Sequence, residues 1–570
     1  MNYTLPVLSL LLFLNSFLLC SCNDDNDEKK LPTVGITSLV RNQAHTLPQF
    51  LTSLMNLDYP KDRIFLWFRS DYNSDHSVDV LRDFVNKFGT LYNRVHLSYN
   101  TSKQKFDDEL SPTHWSHSRF MHLIKWREMG IKFAKRQWAD YVFMLDADVF
   151  LTNPQTLRHL IQKQLRVVAP MLVSDRYYSN FWLSVDDDFN YRLNHEDEFY
   201  PLYEYNELYM GCHIVPVIYG AVLMDLRSKK SDYITYDPYK IVDYLGPLQD
   251  HIIFAVNAMR NNISLHICND DFFGYITRPI KEGEPLERDV LHLTNLKLSA
   301  IARSKPLQYH YKLQRFVYYP PSLDYQVDKI YMINLERRPD KRKLMEQSFK
   351  ELGMNVTRVE AVDGKSLDPK KLQNMNVTLM PGYEDAYYKR PMTYGEIGCF
   401  LSHYKIWVEV AERNHNRVLI LEDDVNFLPY FKENYDTIIW ESSVLKHDFI
   451  YLGRKIMMDK VEIRMTTHLT KPLYSYWTIG YIITKLGAEK LIEAKPLSKL
   501  LPVDEFLPIM FDQHPDKKYK EFFPNRNLNA LAASPSIISP THYTGMPGYI
   551  SDTEDSIPLS TEPCTDNPEL

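Results

Sequence analysis

Cysteine is scarce in this chain, and neither charge sign dominates it. Six cysteines among 570 residues are too few and too scattered for a disulfide scaffold or a cysteine zinc site. A formal net charge of −7, with no basic stripe, argues against nucleic acid as a partner. No G-x-G-x-x-G turn, Walker phosphate loop or G-x-S-x-G elbow occurs, so the signatures of dehydrogenases, P-loop NTPases and serine hydrolases are missing. Low-complexity repeats are absent too.

Long apolar runs are equally rare. Leu5 to Leu19, followed by Cys20, Ser21, Cys22 and the polar stretch Asn23 to Lys30, reads as a cleaved secretory signal over residues 1–22. The rival, a type II membrane anchor, is disfavoured because the run falls short of the ~20 residues a span needs and contains Pro6, Asn15 and Ser16. No stable membrane span is expected. Four N-x-S/T sequons follow, at Asn100, Asn262, Asn355 and Asn376. Of the remaining cysteines, Cys212 and Cys268 are either bridged or buried as free thiols.

What is present is a globular composition, 44% hydrophobic and 13% aromatic, with length enough for about three to four domains. From Pro32 onward the pattern alternates: TVGITSLV, RIFLWFRSD and RVHLSYN read as strands, HTLPQFLTSLMNL and SVDVLRDFVNKFG as helices. A long helix from Ser118 to Lys135 leads into the apolar run Tyr141 to Leu145. The alternation restarts at Val327, with VDKIYMINL as a strand, a helix closed by Gly353, then VTRVEAVDG. Thr393 and Glu396 make a capping box for a helix reaching Glu412. Alternating β and α elements imply a mostly parallel sheet. The expected fold class is α/β, with two tandem Rossmann-type domains at 31–304 and 327–540, a proline-containing linker at 305–326 and a poorly ordered polar tail at 541–570. Within the first domain, residues 177–200, rich in aromatics and acids, suggest loops around an acceptor cleft.

One arrangement occurs twice. The run YVFML ends at Asp146, Ala147 and Asp148; RVLIL ends at Glu422, Asp423 and Asp424. A short apolar run bounded by polar residues reads as a strand buried on both faces, and open α/β sheets bind ligands at such carboxyl ends. Adjacent carboxylates repel one another unless a cation sits between them. Oxygen ligands suit Mg²⁺, Mn²⁺ or Ca²⁺, ions that bridge carboxylates to a diphosphate, so a sugar nucleotide is the expected substrate. Asp146, Asp148, Glu422, Asp423 and Asp424 are the candidate metal ligands. Asp71, just past a strand, is placed to receive hydrogen bonds from a base or ribose. Asp250 and Asp504 are candidate general bases for the two halves, with helix cap or surface acid as the plain alternative. His114, His117 and the triple acid 186–188 read as ordinary loop residues.

The second half resembles glycosyltransferase family 25 in IYMINLERRPDKR (330–342), VEAVDGKSL (359–367), TYGEIGCFLSHYKIW (393–407), VLILEDDV (418–425) and LPVDEFL (501–507). With VGITSLVRNQAHTLPQFL, WSHSRF and MLDADVF, the whole chain resembles that family's procollagen galactosyltransferase branch. The resemblance implies two GT-A-like, nucleotide-sugar-binding domains and inverting transfer of galactose from UDP-galactose to hydroxylysine of collagen-type chains, with Mn²⁺, in the endoplasmic reticulum lumen. Bacterial members resemble only the second half. That half should therefore be catalytic, through Glu422, Asp423, Asp424 and Asp504, with Asn334, Arg338, Ser402 and His403 on the donor side. The first half would bind nucleotide or an ion such as Ca²⁺ for stability, or grip the acceptor. Relatives suggest a homodimer. The alternatives are a catalytically silent cell-adhesion relative and a same-fold transferase using UDP-glucose. The ending Asn567-Pro568-Glu569-Leu570 departs from the RDEL type of retention signal.

Overall fold

The computed structural model describes residues 31–102, 105–175, 178–186, 189–192, 207–543, 546 and 549–559. The expected signal, Cys564, the C-terminal tetrapeptide and much of the 177–200 segment lie outside them. The chain divides into two units: residues up to Leu293 with Gln308–Val317, and Thr294–Leu307 with Tyr318 onward.

The first unit is built on an eight-stranded sheet. Its order is Arg94–Tyr99, Ile64–Ser70, Val34–Val40, Tyr141–Leu145, Ala221–Asp225, Val167–Pro170, His266–Cys268 and Cys212–Ile214. The first four strands are parallel, and Ala221–Asp225 runs against both of its neighbours. The second unit repeats the plan: Thr357–Glu360, Lys329–Asn334, Arg417–Leu421, Gly480–Thr484, Phe449–Tyr451, Ala530–Ala533, Leu469–Lys471 and Ile463–Arg464. Gly480–Thr484 is again the strand reversed against both neighbours. The two-domain α/β expectation therefore holds, and in both sheets the acid-bearing strand lies between the unit's first strand and the reversed one.

That strand is apolar throughout because both of its faces are covered. All five residues of Tyr141–Leu145 are buried. In Arg417–Leu421, Val418 and Ile420 enter one core and Leu419 and Leu421 another. Alternate side chains point to opposite faces, and each buried residue of this size is worth about 1.5–3 kcal/mol. The helices delivering the chain to these strands are His117–Arg136, capped by Ser116, and Tyr394–Glu412, which carries the expected Thr393–Glu396 capping box. Close packing of the first requires Gly35, where a Cβ would lie 2.8 Å from that of Ala134. Past the acids the chain enters a short antiparallel ribbon in each unit, Val149–Leu151 with Gly274–Ile276 and Val425–Phe427 with Ile538–Pro540.

Two expectations are corrected. The 305–326 stretch is not a free linker. Leu313 is fully buried, His310 N donates to Thr52 Oγ1 (2.8 Å), and Tyr325 is buried with its hydroxyl on the Leu352 carbonyl (2.8 Å). The described part of the tail, 549–559, is likewise tied down, for Tyr394 N donates to Ile557 O (3.0 Å) and Leu559 N to Met392 O (2.9 Å). Its polar composition hid these backbone bonds. Cys212 and Cys268 form a disulfide across neighbouring strands, and the four sequon asparagines are all exposed. No described helix is long and apolar enough to cross a membrane.

Gly274 tests the ribbon. At φ +149° a Cβ there would sit 2.0 Å from the Phe150 carbonyl oxygen, whereas Gly283, at φ +86°, has open space. Gly274→Ala should cost about 2–4 kcal/mol and Gly283→Ala about 1 kcal/mol in urea unfolding; equal costs would show the ribbon to be slack.

Candidate functional site

In the second unit the acids emerge beside a parallel neighbour that ends at Asn334. The buried Asn334 amide donates to Asp423 Oδ2 (2.7 Å) and accepts from Arg358 Nε (3.0 Å), so its orientation is fixed from both sides. Lys341, in the first turn of Pro339–Glu351, lies 3.5 Å from Asp423 and 3.3 Å from Asp424. Glu422 accepts from the Thr478 hydroxyl (2.7 Å) and lies 3.3 Å from His403 Nε2. His403 Nδ1 is 2.9 Å from the Tyr481 hydroxyl.

Asp504 comes from the first turn of Val503–Met510. Its neighbour Glu505 accepts hydrogen bonds from Tyr474 (2.7 Å) and Tyr476 (2.6 Å) and lies 2.8 Å from His514 Nε2, which fixes the helix. Burial first, and then repulsion from Glu422, pushes the Asp504 carboxyl up to about 7. Burial likewise lifts Asp423 to about 6 against the pull of Lys341, and it raises Asp424. For Glu422 burial acts upward, but the His403 and Thr478 hydrogen bonds prevail and hold it low. Asp424 Oδ1 and Asp504 Oδ1 are buried and have no partner. One lysine does not neutralise this group of acids.

The first unit resolves the same crowding differently. Arg127, buried on His117–Arg136, grips Asp146 (Nη1–Oδ1 2.7 Å, Nη2–Oδ2 3.0 Å) and reaches Asp250 with Nε (2.9 Å). Burial would raise Asp250, yet the Arg127 charge holds its carboxyl well below the usual range. A base locked as a carboxylate beside arginine has little affinity left for a proton. Asp148 lacks such relief: burial, then Asp146 and Asp289, push it up to about 7. Asp71, 6% exposed, contacts Arg69 Nε (2.6 Å) and His122 Nε2 (3.0 Å). Burial works upward on it, but those hydrogen bonds keep it below its ordinary value, and its Oδ1 is buried without a partner.

Arg127 and His403 are counterparts. Each lies on the helix before the acid-bearing strand, and Arg127 precedes Tyr141 by the same spacing as His403 precedes Arg417. Asp250 and Asp504 correspond as well, each opening the helix that leads to the next parallel strand, His266–Cys268 or Ala530–Ala533. In one unit the pair is bridged by arginine; in the other the acid stands open.

The family follows from comparison with known proteins. Residues 31–297 match the model described as "Glycosyltransferase family 25, N-terminal domain", and residues 327–507 match "Glycosyltransferase family 25 (LPS biosynthesis protein)". A Glycosyltransferase 25 family member of Drosophila melanogaster is 44% identical, covering 97% of this chain and 92% of its own. Procollagen galactosyltransferase 2 of Homo sapiens is 40% identical, covering 92% and 84%, and that of Mus musculus is equally similar. The chain belongs to glycosyltransferase family 25.

In this glycosyltransferase the expected donor-side residues divide. Ser402 is fully buried; its hydroxyl accepts from Val362 N (2.8 Å) and donates to Gly398 O (2.7 Å), so it anchors a loop and does not face a ligand. Asn334 and His403 act through Asp423 and Glu422. Arg338 donates from Nε to Asp552 (2.7 Å). Lys341 and Thr478 were not anticipated. Lys341 stood in the quoted PDKR stretch, but Thr478 carried no sequence signal. The oxygen-only chemistry of Glu422, Asp423 and Asp424, with a partnerless buried oxygen on Asp424, suits a hard divalent cation, but their carboxylate oxygens do not all lie within 4.8 Å of one another here, and Lys341 stands between Asp423 and Asp424. The ligand atoms that do converge there, within 4.8 Å of one another, are those of Cys399, His403 and Glu422; burial pushes the Cys399 thiol well above its ordinary value.

The Asp148 shift gives a signed pH dependence. With a native value of about 7 and an unfolded value near ~3.9, the native state holds a proton that the unfolded chain has released, so stability falls as pH rises between the two. In chelator, Asp148→Asn should unfold a few degrees above wild type at pH 8, on the order of 1–3 kcal/mol. The advantage should shrink toward pH 5; a gain independent of pH in calorimetry would refute the assignment.

Proposed function

We propose that the second unit transfers galactose from UDP-galactose to the hydroxyl of hydroxylysine in collagen-type chains, with inversion and with Mn²⁺, in the endoplasmic reticulum lumen. The observation that carries the reading is the contrast between counterparts: Asp504 keeps a partnerless Oδ1 beside Glu422, whereas Asp250 is bound to Arg127. The printed names of the human and mouse relatives speak of galactose and procollagen.

A divalent ion held by Glu422, Asp423 and Asp424 would neutralise charge on the departing diphosphate. Asp504 Oδ1 accepts the proton of the acceptor hydroxyl while that oxygen bonds to the sugar's anomeric carbon. The bond from that carbon to the phosphate oxygen breaks, and UDP leaves with its electron pair. A single in-line displacement inverts the centre. A carboxyl raised by burial suits this proton transfer. Thr478 and His403 fix Glu422, Asn334 fixes Asp423, and the Glu505 network fixes the helix of Asp504. The first unit, its Asp250 already neutralised, serves binding: a nucleoside at Asp71, or an ion such as Ca²⁺ at Asp148.

UDP release is followed with UDP-galactose, a hydroxylysine-containing collagen peptide and Mn²⁺, then with chelator, and with UDP-glucose as the competing donor. Asp504→Asn should lower kcat by ~10²–10⁴, and Asp424→Ala should abolish turnover with unchanged circular dichroism. Asp250→Asn should weaken the fold by about 1.5–3 kcal/mol, since it removes one of the two carboxylates on Arg127 while Asp146 still holds it, yet leave turnover per folded molecule largely intact. Full activity of Asp424→Ala, or a folded but inactive Asp250→Asn, would move the chemistry to the first unit.

A further inference from the structure

The C-terminal segment 549–559 lies against the second unit's cationic residues. Arg337 Nη1 donates to Asp552 Oδ1 and Arg338 Nε to Asp552 Oδ2, both at 2.7 Å. Lys341 lies within the electrostatic reach of the same carboxylate. The fit is incomplete: Arg338 Nη2 is buried without a partner, because a planar carboxylate has only two oxygens to offer. A phosphate group has more acceptor oxygens and more charge, and guanidinium groups bind it in the same forked manner.

The segment is lightly held. No side chain from 551 to 559 is buried, so little apolar surface would be lost on lifting it. It is otherwise attached by hydrogen bonds along the first turn of Tyr394–Glu412, Thr393 Oγ1 to Thr553 O (2.7 Å), Gly395 N to Ser556 Oγ (3.0 Å) and the backbone pairs at Ile557 and Leu559, and by Leu559, which packs half-buried on the core.

We propose that Asp552 is an internal stand-in for a phosphate: the Arg337–Arg338 pair is an anion seat for the donor's diphosphate, and segment 549–559 fills it until that anion displaces it. This rests on the reading that the second unit takes a nucleoside diphosphate. A seat closed for most of the time lowers apparent affinity by the fraction that is open, so removing the competitor strengthens binding.

Calorimetric titration of the full chain with pyrophosphate, and separately with UDP, tests it in wild type, Asp552→Asn and Ser556→Ala. Asp552→Asn should bind pyrophosphate roughly fivefold or more tightly, the result expected if about four-fifths of the chains are closed. Ser556→Ala, which loosens the segment but keeps the charge, should give a smaller gain of the same sign. Unchanged or weaker binding in Asp552→Asn overturns the proposal, as does failure of every variant to bind either anion. Tighter pyrophosphate binding with no UDP binding upholds the seat and removes the nucleotide reading.

Discussion

The fold depends on one electrostatic constraint: negative charge is concentrated where a doubly buried strand ends. Water is too scarce there to screen the carboxylates, so each must find a fixed cation, a donor or a proton. The chain meets this requirement twice with nearly the same backbone and two different solutions. Where Arg127 forks between Asp146 and Asp250, charge is cancelled within the protein. Where His403 replaces it, Glu422 is relieved, while Asp423 and Asp424 share the single charge of Lys341 and Asp504 stays raised by burial and by Glu422. The two acid groups thus differ in the side chain that the preceding helix presents, arginine in one unit and histidine in the other.

The surrounding layers serve that difference. Pairing of Asn334 with Asp423, and of Thr478 with Glu422, draws on residues distant in sequence, so the cluster exists only when the whole sheet is assembled. Glu505, carrying three hydrogen-bonding neighbours, turns the residue before it toward Glu422 without itself entering the cluster. Such a network restricts the neighbouring acid to one geometry.

The parts legible in the sequence were those with local signals. Apolar runs ending in acids gave both critical strands, and the Thr393–Glu396 spacing gave the helix start. What was hidden depended on distant partners. Ser402 entered the donor-side set through the family resemblance alone, and the two hydrogen bonds of its hydroxyl, with Val362 and Gly398, come from folding that no local signal announces. The neutralisation of Asp250 could not be read from PLQDHIIF, since Arg127 lies on another element. Likewise, nothing in a polar, proline-containing tail announces that Asp552 will meet two arginines.

The path of the chain between the units carries a lesson about descent and dissection. Because Thr294–Leu307 belongs with the second unit and Gln308–Val317 with the first, the polypeptide changes allegiance three times, and no single cleavage point yields two intact halves. A fragment stopping at 304 would lose Leu313 and Arg315, the latter paired with Asp83 (2.6 Å). It would retain Lys297, whose partner Glu351 (3.1 Å) had gone with the other piece. Whatever ancestral doubling produced the matched sheets, later interlacing has made them inseparable by simple truncation.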